Sequence, residues 1–121
     1  MLGAKICVID DDSSVLRSLK ELLASDDLEA ETFDDPEEFM DYVQSHVVRL
    51  AVLDAWMPRQ SGIEVQERLR HISPQTRVIF ITGREEPATG ALALADGAFA
   101  FLSKPLDDDT FLASVHAVLG E

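Results

Sequence analysis

Five short apolar runs recur along the chain, and the stretches between them repeat their apolar residues at helical intervals. The runs are Lys5 to Ile9, Leu28 to Phe33, Leu50 to Asp54, Arg77 to Ile81 and Ala100 to Leu102. Uninterrupted runs of this length read as strands buried on both faces. The second run carries Glu29, Glu31 and Thr32, which suits an edge strand.

The intervening stretches predict helices. Val15, Leu16, Leu19, Leu22 and Leu23 share one helical face, with Ser13 or Ser14 as the cap. A second helix opens at Asp34-Asp35-Pro36, where aspartate caps and proline fits the first turn, and carries Phe39, Met40, Tyr42 and Val43. The third presents Ile63, Val65, Leu69 and Ile72 and breaks at Ser73-Pro74. A short fourth, Ala91 to Ala95, is closed by Asp96-Gly97. Asp107-Asp108-Asp109 caps a fifth that bears Phe111, Leu112, Val115, Val118 and Leu119. Five strands alternating with five helices predict an α/β fold, a doubly wound parallel sheet, in one domain over residues 1–121 with no second domain.

Open parallel sheets bind their ligands beyond the carboxyl ends of the strands. The first run ends in Asp10-Asp11-Asp12, the third in Asp54 ahead of Met57-Pro58, the fourth in Thr82-Gly83, and the fifth leads through Ser103 into Lys104-Pro105. Parallel strands bring these groups to one edge. Carboxylates within about 4 Å of each other repel by roughly 4 kcal/mol per pair at an effective dielectric near 20, a cost that a bound cation removes. Oxygen ligands without His or Cys point to Mg2+.

Composition narrows the partners. The formal charge of −13 over 121 residues argues against the chain gripping nucleic acid or an anionic membrane directly. No apolar run approaches a membrane span and the N-terminus has no signal-peptide pattern, so a cytoplasmic location is expected. The single Cys7 lies in the first strand and reads as a small core residue.

With Asp10-Asp11, Asp54, Met57-Pro58, Gly62, Thr82-Gly83 and Lys104-Pro105 in this order at strand ends, the chain resembles the CheY-like receiver domains of two-component response regulators over nearly its whole length. The general run of the sequence is most similar to receivers of nitrogen-fixation or LuxR-type transcriptional regulators. The resemblance implies strand order 2-1-3-4-5 and a signalling domain that catalyses only its own phosphorylation and dephosphorylation. By that likeness Asp54 accepts a phosphoryl group from a sensor histidine kinase; Asp10, Asp11, Asp54 and the Trp56 carbonyl hold Mg2+; and Ala55, Thr82, Gly83 and Lys104 contact the phosphoryl oxygens. Thr82 and Phe101 are the expected switch pair, acting on a face of helix 4, strand 5 and helix 5 that serves a homodimer or an output domain outside this chain. Trp56 and Arg84 stand where the family controls water's access to the acyl phosphate.

Other classes fit less well. A phosphate-independent interaction module with the same fold is the alternative, and the intact set of acids, hydroxyl and lysine argues against it. A haloacid dehalogenase-type hydrolase needs a second Asp where Trp56 stands, and no Gly-rich turn for a dinucleotide follows the first strand. Asp12 reads as a helix cap or solvent-facing residue, and His46, His71 and His116 are scattered without ligand spacing.

Overall fold

The computed structural model describes residues 6–57, 61–83, 91, 93–95 and 97–120. In chain order its elements are β1 (Ile6–Ile9), α1 (Ser13–Ser25), β2 (Ala30–Phe33), α2 (Pro36–Val43), β3 (Leu50–Asp54), α3 (Gly62–Ile72) and β4 (Arg77–Thr82). Residues 91 and 93–95 are helical and represent α4, followed by β5 (Ala100–Ser103) and α5 (Asp108–Leu119). The sheet is wholly parallel in the order β2-β1-β3-β4-β5.

Every residue of β1 and β3 is buried, whereas β2 and β5 lie at the edges and are partly exposed. Because successive side chains in a strand point to opposite faces, the central strands feed two cores. Cys7, Ile9, Leu53 and Phe80 pack with Phe39, Val65, Leu69 and Ala93 on one side. Ile6, Val8, Val52 and Ile79 pack with Leu19, Leu23, Phe111 and Val115 on the other. Each buried Val, Leu, Ile or Phe among them contributes roughly 1.5–3 kcal/mol, so the strand ends that carry the polar groups adjoin a well-packed core.

Local structure refines the sequence expectation at several points. Of the caps the sequence offers for α1, Asp12 takes the role rather than Ser13 or Ser14; its carboxylate accepts from the Ser14 N–H at 2.9 Å and the Ser14 hydroxyl at 2.7 Å. β2 starts at Ala30 instead of Leu28, because Asp27 turns left-handed at φ 61° and the Leu28 N–H is spent on Leu23 O at 2.9 Å, closing α1. β4 includes Thr82, so that hydroxyl belongs to the strand end itself. The inward stripe of α3 is Gly62, Val65, Gln66 and Leu69, while Ile63 is only partly buried and Ile72 is 41 % exposed.

Candidate functional site

Four strand ends converge at one pole of the sheet. Register pairs Ile9 with Leu53, Asp54 with Ile81 and Thr82 with Ser103, so the residues that follow β1 and end β3, β4 and β5 lie side by side. Asp10 is wholly buried, and its Oδ1 accepts from the Asp12 N–H at 2.9 Å. Asp54 is 6 % exposed, and its Oδ1 accepts from the Trp56 N–H at 3.1 Å. Lys104 Nζ lies 3.1 Å from Asp10 Oδ2 and 3.8 Å from Asp54 Oδ2, bridging two elements distant in sequence. Thr82 is buried, and its carbonyl accepts from the Lys104 N–H at 2.7 Å, tying β4 to the segment after β5. Gly83 follows beside the Lys104 stem, where a Cβ would lie 3.9 Å from Lys104 Cδ. The Lys104–Pro105 peptide bond is cis.

Asp10, Asp11 and Asp54 each offer a carboxylate oxygen, and these oxygens lie within 4.8 Å of one another. Asp11 is exposed, so one side of the cluster faces solvent. The Asp10 carboxyl is pushed up to about 6, first by burial and then by the Asp54 charge, against the opposing pull of the Asp12 N–H and Lys104. One ammonium therefore does not compensate the local negative charge fully. An all-oxygen donor set with surplus negative charge and an open side fits a hard divalent cation.

The remaining expected residues fall out as follows. The Ala55 N–H donates to Ile81 O at 2.9 Å, continuing the β3–β4 pairing, and the neighbouring Trp56 N–H donates to the Asp54 carboxylate. Trp56 is partly buried against the core, and Phe101 is half-buried with its ring 5.8 Å from that of Phe80. Arg84 lies outside the described residues. None of the histidines joins the aspartate cluster: His46 stacks on Tyr42, His71 pairs with Glu67, and His116 pairs with Asp26 to tie α5 to the end of α1.

Two structural supports had no role assigned from sequence. The Gly62 N–H donates to Ala55 O at 3.0 Å, and a Cβ at Gly62 would meet the Asp54 carbonyl oxygen at 2.5 Å. Gln66 lies on the same inward stripe of α3, and the run Gly62, Val65, Gln66, Leu69 is the periodic signal that would have found it.

The sequence pattern of the response regulator receiver domain matches residues 6–116. The chain belongs to this family. Among curated relatives, the response regulator protein TodT of Pseudomonas putida is 32 % identical over 114 residues, covering 94 % of this receiver and 50 % of TodT. The transcriptional regulatory protein TdiR of Thauera aromatica is 35 % identical over 117 residues, covering 97 % and 52 %. The receiver thus spans about half the length of the curated relatives it matches. Among solved structures, the beryllofluoride-activated NtrC4 receiver domain dimer superposes with a TM-score of 0.91 at 29 % identity, covering 95 % of both chains. A response regulator receiver protein from Burkholderia phymatum superposes with a TM-score of 0.86 at 40 % identity, covering 98 % of this chain and 96 % of its own.

Proposed function

We propose that this receiver domain is a phosphoacceptor in which Asp54 takes a phosphoryl group from the phosphohistidine of a sensor kinase. The observation that carries the reading is the convergence on the Asp54 carboxylate of Lys104, Asp10 and Asp11 from separate strand ends. An Asp54 oxygen attacks phosphorus in line, a P–O bond forms as the P–N bond breaks, and the electron pair leaves with the imidazole, which then takes a proton from solvent. Asp10, Asp11, Asp54 and the Trp56 carbonyl would hold Mg2+, which supplies charge neutralisation for the phosphoryl oxygens. Lys104 adds a second positive charge, and Thr82 and Gly83 offer a hydroxyl and an N–H at the adjacent strand end.

An open cleft of about 570 Å³ beside Lys104, walled by Val15, Leu22, Pro105 and Leu106, gives a donor protein a surface to lie on. Thr82 reports the new phosphoryl group to α4, β5 and α5, and Phe101 follows it. That face would serve a second copy or an output domain outside this chain, which spans about half of TodT and TdiR.

Intact mass after incubation with acetyl phosphate and Mg2+ tests the acceptor. Wild type gains one labile phosphoryl group and Asp54→Asn gains none. Labelling of Asp54→Asn to the same extent, or none on folded wild type, would remove Asp54 from the role. The decay of the same adduct, compared with Trp56→Ala, measures whether Trp56 restrains hydrolysis; an identical half-life would dismiss it.

A further inference from the structure

A buried polar contact beyond the acceptor site links α3 to α4. Gln66 is 3 % exposed, and its Nε2 donates to Ala93 O across 3.4 Å. That carbonyl also accepts the Ala98 N–H at 3.0 Å, while Leu94 O accepts the Gly97 N–H at 3.0 Å with Gly97 at φ 104°. The pair of bonds across a left-handed glycine is a Schellman closure, so Gln66 grips the C-terminal end of α4. Immediately afterwards the Phe99 N–H donates to Val78 O at 2.7 Å as the chain enters β5. On α3, Gly62 and Gln66 are four residues apart and share a face. One side of α3 therefore touches the end of the acceptor strand through Gly62 and the end of α4 through Gln66.

We infer that Gln66 is a positioning residue that pins the C-terminal end of α4 to α3 and favours the resting arrangement of that helix. The pin stands on geometry alone; its effect on phosphorylation rests on the phosphoacceptor reading. The contact is buried, so moving α4 away from α3 breaks it in surroundings where the loss is felt. An ordinary hydrogen bond corresponds to roughly a two- to twelve-fold change in an opening equilibrium.

Gln66→Met keeps length and removes the donor. In the unphosphorylated protein, amide hydrogen exchange at Gly97 and Ala98 rises about five-fold, while exchange at Leu28, which closes α1 through Leu23 O, stays constant. Phosphorylation by acetyl phosphate becomes several-fold faster, with Mg2+ affinity unchanged. Unchanged exchange at Gly97 and Ala98, or an equal rise at all three amides, overturns the pin. Faster local exchange with an unchanged phosphorylation rate overturns its link to the site. A wild type that takes no phosphoryl group counts against the acceptor reading, and the exchange data still decide the pin.

Discussion

Asp10 carries the largest electrostatic tension in the site. Its carboxyl holds a proton up to about pH 6 in the fold and to about 3.8 in the free side chain, because burial and the Asp54 charge disfavour its ionised form. Between these values the folded state binds more protons than the unfolded chain, so stability falls as pH rises through that window and the low-pH stabilisation is gone above about 6. The groups facing it are Asp11, Asp54 and Lys104, and only the last is positive. Asp10→Asn removes the ionisation and keeps an acceptor for the Asp12 N–H. In chelator, urea unfolding at pH 7.5 is expected to show the variant more stable than wild type by on the order of 2 kcal/mol, with the gain fading toward pH 4. An unchanged difference across that range would mean that Asp10 ionises without cost.

At the scale of elements, α3 is the helix that packs directly on the strand ending in Asp54. Its N-terminus is set by a capping box in which Ser61 Oγ accepts the Glu64 N–H at 3.2 Å and Glu64 accepts the Ser61 N–H at 3.0 Å. Gly62 then passes so close to β3 that an added Cβ would lie 2.5 Å from Asp54 O and 2.8 Å from Phe80 Cε1. Backbone cannot yield as a side-chain tip can, so Gly62→Ala costs about 1–3 kcal/mol of overpacking, outweighing the roughly 1 kcal/mol that alanine gains in helix propensity. Urea midpoints check the first number, and slower labelling of Asp54 by acetyl phosphate checks that the strand end has shifted.

The same element shows what the sequence made legible. The buried strands and the acidic, hydroxyl and ammonium groups at their ends could be read from uninterrupted apolar runs followed by polar residues, because a parallel sheet admits little else. On α3, Val65 and Leu69 face inward as expected, but Ile63 and Ile72 outweigh Gly62 and Gln66 in hydrophobicity although periodicity favours the latter pair. The partner of the Ala55 N–H was not legible: it donates to Ile81 O, and pairing between strands is not visible in one strand's residues.

Across the whole molecule, 23 acidic residues oppose 10 basic ones, and any added salt relieves their mutual repulsion to some degree. A site-bound cation must be separated from that general effect. At 100 times its dissociation constant, Mg2+ bound only to the folded state contributes about 2.7 kcal/mol, which for a domain of this size raises Tm by roughly 10 °C. Sodium chloride at matched ionic strength screens all the acids alike and is expected to deliver only a small part of this shift. Asp11 separates the two effects cleanly: it is exposed, so Asp11→Asn removes a proposed ligand at little structural cost, whereas Asp10 and Asp54 are buried in the hydrogen-bonded frame. Thermal unfolding of Asp11→Asn should therefore keep the sodium chloride response and lose most of the additional Mg2+ response. If sodium chloride matches Mg2+ in wild type, the aspartate cluster is not the site of stabilisation, and the convergence of the strand ends would have to be explained by Lys104 alone.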